Sequence, residues 1–436
     1  MQTNQRNISS WTWVPSLYFA EGLPYVIVMT LSVIMYKDLG VSNGDIAFYT
    51  SWLYLPWVIK PLWSPIVELF KTKRWWIVTM QFLMGVGMAG VAFTLDTSFF
   101  FQSSIAFLWL MAFASATHDI SADGFYMIAQ SEKNQSAFIG IRNVFYRVAM
   151  VTGQGFLAMI AGRLMEKGYA DSYTAWSIVF WCSCGLIVLL SVYHAFILPK
   201  TENKEKSFSS SEFSTLFDTF FCKKEIALFI LFILLFRLGE AQLCKLSSPF
   251  MQDAMANGGL ALSVKDVGFA YGVIGVISLL LGGMLGGAAI SMHGLKKCLI
   301  PMMLALNLPD LVYVYMAYAQ PDSYLLVEVL VALEQFGYGF GFTALSMFMI
   351  YVSQGEYKTA HYSICTGFMA MGMMIPGMWA GKIQEMLGYT NFFIWVCICT
   401  IPAFIVAWFI KIPASFGCKD SKQESGVVTY DSKEDA

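Results

Sequence analysis

The sequence predicts an all-α polytopic membrane protein, with twelve transmembrane helices in two pseudo-symmetric six-helix bundles. Three observations carry this. Hydrophobic residues fill 57% of the 436 positions and charged ones only 13%, whereas a soluble domain averages about 25% charged. Apolar runs of roughly 20 residues, each able to cross about 30 Å of hydrocarbon as a helix, recur from end to end. The halves also echo each other at matching turns: FYMIAQSEKNQSAF (125–138) aligns with MFMIYVSQGEYKTAHY (347–362), and PIVELFKTKRWW (65–76) with GGMLGGAAISMHGLKK (282–297). Duplication of this kind places a site near the midplane, between the halves.

In chain order, the polar breaks set spans at 12–36, 45–70, 74–95, 101–130, 134–165 and 172–198, then at 225–252, 265–291, 296–319, 322–353, 358–387 and 389–413. The first is read as a retained helix, since it is too long for a signal-peptide core and lacks a small-residue cleavage site. KTENKEKSFSSSEF, Lys200 to Phe213, is the longest internal polar stretch. The expected organisation is therefore an N-terminal bundle at 1–198, a cytoplasmic linker at 199–224, a C-terminal bundle at 225–413 and a disordered tail at 414–436. Basic residues cluster on the even-numbered connections and at the C-terminal end: Lys71 to Arg74, the linker with Lys223 and Lys224, Lys296 with Lys297, and Lys411. The odd connections carry mixed or acidic groups such as Lys37 and Asp38, Asp96, Asp171 and Asp266. By the positive-inside rule both termini are expected in the cytoplasm.

A net charge of −2 offers no nucleic-acid footprint. The nine cysteines lack zinc or Cys-x-x-C spacing and read as packing residues. No metal and no cofactor is expected.

The chemistry lies in charges placed inside apolar segments, where each needs a partner or a water-lined cavity. Glu21 stands beside Gly22 and Pro24, a combination that bends a helix. Lys60 lies 11 residues from Lys71, roughly 16 Å deep along a helix, and shares its segment with Trp52, Trp57 and Trp63. His118, Asp119 and Asp123 fall within ATHDISADGFYMI, 116–128, and Arg142 and Arg147 on the next helix. Reflection across the turn near Lys133 and Asn134 sets Arg147 level with Ile120 and Arg142 with Phe125. That register predicts Asp119 facing Arg147 and Asp123 facing Arg142. The aspartates, at i and i+4, repel when both are ionised, while arginine favours the charged form. Such opposed terms suit proton coupling. Fixed salt bridges bracing two helices are the rival reading. Against it, the corresponding positions of the second half are Phe340, Gly341 and Leu345, with Ile364 and Met369 in place of the arginines. His118 points about 100° away from Asp119 and can face another neighbour. In the seventh helix Arg237 stands three residues from Glu240, and the two can neutralise each other.

Several of these segments carry a family resemblance. The glycine-rich run closing on Gly294, Lys296 and Lys297 resembles the cytoplasmic loop motif of the major facilitator superfamily. AEGLPY (20–25), KPLWSPIVE (60–68), ATHDISADG (116–124) and NVFYRVAMVTGQG (143–155) resemble AmpG-type muropeptide permeases, to which the acetyl-CoA transporter family is similar. The likeness is sharp over the first 160 residues. His118 stands where those relatives usually carry glutamine, and some of them have additional C-terminal spans. The resemblance implies a proton-driven importer of an amino-sugar or muropeptide-like anion, such as an anhydromuropeptide, across the inner membrane by alternating access, working as a monomer in the bilayer. Acetyl-CoA or another anionic metabolite is the alternative solute. In this reading Asp119 and Asp123, with His118 and Glu21, handle the proton. Arg142, Arg147 and Lys60 attract the anion, Tyr146 and Gln154 offer neutral hydrogen bonds, Trp57 stacks on a sugar, and Glu240 is a further contact. An enzyme reading, with His118 and Asp123 as an H-x-x-x-x-D acyltransferase pair, requires an irregular turn, since residues five apart on a straight helix point about 140° apart.

Overall fold

The computed structural model describes residues 9–130, 132–200, 210–355, 357–414 and 416–417. Among them every regular element is helical. Among the described residues ten helices are long and apolar enough to cross a membrane, against the twelve expected, and the difference arises at two places. The 43–69 region is interrupted at Leu53 and Tyr54, leaving Asn43–Trp52 and Leu55–Leu69 as separate shorter helices. Pro56 sits in the first turn of the second, where its missing N–H is harmless. The last helix, Lys358–Phe409, contains Gly388 at φ 73° and ψ 164°, a backbone conformation that a Cβ disfavours. The chain reverses there: the hydroxyl of Tyr351, just before this element, donates to the carbonyl of Lys411, just after it.

The expected polar linker includes a helix, Ser210–Phe221. Phe220 is fully buried against the second half, and the Lys223 ammonium donates to the carbonyls of Val352 at 2.7 Å and Gln354 at 2.8 Å. Burial pushes that amine below the usual lysine range. The start of the expected disordered tail is also packed. Phe416 meets Tyr351 edge-on at 5.2 Å, and its carbonyl accepts from the Leu295 N–H at 2.9 Å. Residues 418–436 lie outside the described residues.

One packing order appears twice. Val14–Val26 packs on Glu132–Met150, Leu55–Leu69 on Phe100–Ala129, and Lys73–Thr94 on both Phe100–Ala129 and Ser172–Ile197. In the second half Leu238–Gln252 packs on Lys358–Phe409, Val276–His293 on Tyr324–Val352, and Leu295–Asn307 on both of those long helices. Between the halves Asn43–Trp52 meets Lys358–Phe409, and the π-helical turn Val151–Leu157 meets the π-helical turn Gly268–Gly275.

The halves are joined at one end and separate at the other. A single apolar cluster takes Ile34, Tyr36 and Ile46 from the first half and Phe250, Val267 and Phe393 from the second. At the opposite end Trp13, Tyr18 and Phe125 form one cluster, and Phe220, Phe232 and Phe348 another. Polar contacts seal the joined end. Lys37 pairs with Asp253 at 2.5 Å, the Asn43 amide donates to Gln384 at 2.8 Å, and Tyr389 donates to Asp253 at 2.6 Å. The Gly44 N–H reaches Glu385 at 2.8 Å, and Lys265 pairs with Glu166 at 2.8 Å. Asp253 accepts from three of these groups, so it organises the seal. Asp253→Asn should speed labelling of Ala47→Cys, buried behind the seal, by an impermeant thiol reagent at least about threefold. An unchanged rate would show that the apolar cluster alone holds this end shut.

Candidate functional site

From the separated end a cavity of about 570 Å³ runs between the halves to mid-depth. Most of its ionisable wall comes from the first half. Glu21, Lys60, Asp119 and Asp123 all face it, together with Tyr25, Trp57 and Tyr146. The second half contributes Arg237 and a stripe of hydroxyls and thioethers at helical spacing: Tyr362, Ser363, Thr366, Met369 and Met373.

Local backbone choices place these groups. Gly22 allows the first helix to approach the fifth segment: a Cβ there would stand 2.9 Å from the Tyr146 carbonyl and 3.0 Å from the Ala149 Cβ. Pro24 inside that helix, followed by the π-helical turn Ile27–Leu31, breaks the regular ladder just beyond Glu21. Asp119 and Asp123 are one turn apart on the continuous helix Phe100–Ala129, so both look into the cavity.

The Arg142 guanidinium holds Asp123 at 2.7 Å, as the turn geometry predicts. The Tyr18 hydroxyl donates to the same carboxylate oxygen at 3.1 Å, and Arg142 lies 4.4 Å over the Tyr18 ring and 5.2 Å from that of Tyr126. The other pairing differs from expectation. Asp119 is bound by the Lys60 ammonium, and Arg147 turns away, with Met150 Sδ as its contact at 3.1 Å. The reason is helical phase. Arg142 and Arg147 are five residues apart, about 140° around the axis, so a helix that presents one to the aspartates hides the other. Depth points to Lys60. It lies 11 residues from Lys71, and Asp119 lies 11 residues from Gln130, at the ends of their helices on the same side.

Glu21 is buried beside both aspartates, with Oε2 lacking a hydrogen-bond partner among the described residues. The aromatic candidates cluster: Trp57 meets Tyr25 edge-on at 5.3 Å, and Tyr25 lies 6.4 Å from Tyr146. His118 does not join them. It is fully buried on the other side of its helix, in a chain where Gln81 bridges His118 and His194 at 2.9 Å each, and His194 meets Ser16 at 2.9 Å. Its ring therefore stands apart from Asp123, which removes the geometry an H-x-x-x-x-D base would need. Gln154 is buried in the π-helical turn Val151–Leu157, off the cavity wall. Glu240 pairs with Arg237 at 2.7 Å, as its spacing allows, and only the arginine reaches the cavity. Sequence reasoning missed Tyr18, which stands one turn before Glu21 at i and i+3, and the second-half stripe, whose neutral residues carry no charge signal. Among the described residues no cluster of His, Cys, Asp and Glu could hold a metal ion.

The profile of the Major Facilitator Superfamily matches residues 16–359. A Rickettsia conorii transporter named AmpG 4 is 27% identical over 419 residues, covering 91% of this chain and 95% of its own length. The anhydromuropeptide permease of Escherichia coli strain K12 is 22% identical over 398 residues, covering 89% of this chain and 77% of its own. Among solved structures, a D-xylose–proton symporter superposes with a TM-score of 0.71 at 10% identity, covering 94% and 98% of the two chains. The nucleoside transporter NupG gives 0.69 at 16%, covering 91% and 96%.

Lys60 and Asp119 should show strong coupling in a double-mutant cycle read by thermal unfolding of the purified protein in detergent. Asp119→Leu alone strands a cation and should cost about 1–3 kcal/mol, whereas adding Lys60→Met to it should recover most of the loss. Additive losses would mean that the pair does not hold the helices together.

Proposed function

The chain belongs to the major facilitator superfamily, and from that premise we propose a proton-coupled importer of an anionic amino-sugar or muropeptide-like solute, such as an anhydromuropeptide. It is a multi-pass membrane transporter, as its family and its relatives are, and not an enzyme. The observation that carries the proposal is the arrangement of Asp119 and Asp123. They sit one turn apart in a cavity, each held by a cation from a different neighbouring helix, with the Glu21 carboxyl beside them.

This arrangement couples charge to binding by competition. While Asp119 is ionised it occupies the Lys60 ammonium, and Asp123 occupies Arg142. A solute carboxylate that takes over Lys60 leaves Asp119 as an unpaired anion in a low-dielectric cavity, which is unfavourable until it takes up a proton. Releasing the solute returns Lys60 to Asp119 and expels the proton. Solute anion and proton therefore travel together. Trp57 and Tyr25 offer faces for a sugar ring, and Ser363, Thr366 and Tyr146 offer neutral hydrogen bonds. Arg147, Gln154 and His118, set off the wall, act in this scheme through helix packing. Support for a muropeptide-like solute comes from the name of the Escherichia coli relative.

The cavity opens on the end that carries Arg74, Lys223, Lys296 and Lys411. We take that end as cytoplasmic by the positive-inside rule, which makes this the inward-open state of a carrier in the inner membrane, with both termini inside. Twelve crossings are proposed, six in 1–198 and six in 225–413, joined by 199–224. The working unit is proposed to be a monomer.

Proteoliposomes with an imposed inward proton gradient should accumulate an anhydromuropeptide in preference to a short glycan disaccharide or acetyl-CoA. Asp119→Asn should cut gradient-driven uptake at least about tenfold. Uptake that ignores the gradient, or that survives Asp119→Asn and Asp123→Asn unchanged, would sink the coupling proposal. Transport of acetyl-CoA instead would replace the solute and keep the coupling.

A further inference from the structure

The Lys245 amine is buried in the seam between the halves, on the sealed side of the cavity, and takes no part in the scheme above. Its residue is 2% exposed. The amine donates to Thr50 Oγ1 at 2.9 Å and lies 5.3 Å from the centre of the Tyr54 ring. Thr50 gives its own proton to the Ile46 carbonyl at 2.6 Å, so it serves Lys245 only as an acceptor. Among the described residues no carboxylate pairs with this amine. A protonated amine has three N–H donors, and among the described residues one of them has a partner.

A second group nearby is also unsatisfied. Ser51 is fully buried, and among the described residues its hydroxyl has no hydrogen-bond partner. Both flank Gly377, where a Cβ would stand 2.7 Å from Ser51 Oγ and 3.4 Å from Lys245 Cγ. Thr50, Ser51 and Tyr54 belong to the first half, Lys245 and Gly377 to the second. Alternating access opens the sealed end by parting the halves, which would separate Thr50 and Tyr54 from Lys245 and leave the amine and the serine hydroxyl at the new entrance.

We propose that Lys245, with Ser51 opposite, forms an anion-capture site of the outward-open state, taking a carboxylate of the incoming solute before Lys60 and Arg142 receive it. The reason is economy of partners. A cation inside the membrane costs about 2.5–3.5 kcal/mol on insertion scales, and this one lacks the carboxylate that offsets the cost at Lys60, Arg142 and Arg237. An anion arriving from the sealed side supplies it. The proposal rests on the alternating-access reading of the fold, but not on the identity of the solute.

The test uses the full chain in oriented membrane vesicles, free of other reactive cysteines. Ser51→Cys is labelled from the sealed side with an anionic sulfonate thiol reagent and with its cationic trimethylammonium counterpart. With Lys245 present the anionic reagent should be favoured. That preference should fall at least about threefold in Lys245→Gln, return in Lys245→Arg, and stay unchanged in Lys167→Gln, which removes an exposed cation at the same end, outside the seal. Lys245→Met replaces Lys245→Gln should the latter fail to reach the membrane. An equal preference with and without the lysine, or no labelling of Ser51→Cys from that side, overturns the proposal. No transported solute is needed, so failure of anhydromuropeptide uptake would leave this result standing.

Discussion

Charge inside a bilayer must be neutralised, and this structure is organised around how that is done. Lys60 with Asp119 and Arg142 with Asp123 tie two different segments of the first half to one helix. Because Lys60 and both aspartates lie on a cavity wall, water and solute can reach them. A pair sealed in apolar packing would act only as a brace. In the proposed scheme the cations exchange partners, and each exchange changes the charge that the aspartates must carry.

The rest of the fold serves that exchange. Apolar clusters and the Asp253 network close one end, so the ionic wall is approached from a single side at a time. The second half faces the same space with hydroxyls, thioethers and the already paired Arg237. One half thus holds the exchangeable charge, and the other offers shape and neutral hydrogen bonds. The asymmetry explains why the duplicated turn sequences could diverge so far at Phe340, Gly341 and Leu345 while the packing order of the helices persisted.

Much of this was legible in the sequence, because hydrophobic runs and charge burial are local properties. The helical membrane class, the repeat, Asp123 with Arg142, and the Arg237–Glu240 pair all follow from spacing along one or two neighbouring helices. Asp119 with Lys60 did not, since it joins segments far apart in the chain, and only matched depth hinted at it. His118 was assigned to the site by adjacency, yet helical phase turns it toward Gln81 and His194. Helical phase likewise turns Arg147 away from the aspartates, and Gln154 sits in a π-helical turn off the cavity wall. Neutral wall residues such as Thr366 and Met373 give no sequence signal beyond a helical stripe. The linker helix and the packed Phe416 were hidden by polar neighbours that suggested loop.

The central claim is that a solute anion and Asp119 compete for Lys60, so that binding draws in a proton. Mixing the purified protein with an anhydromuropeptide in weakly buffered detergent solution, with a pH indicator dye, reads this directly. The account predicts proton uptake in step with binding, and its loss in Asp119→Asn. Binding confirmed by calorimetry with no proton uptake at any pH between about 5 and 8 would contradict it, and would leave the aspartates as fixed partners of their cations.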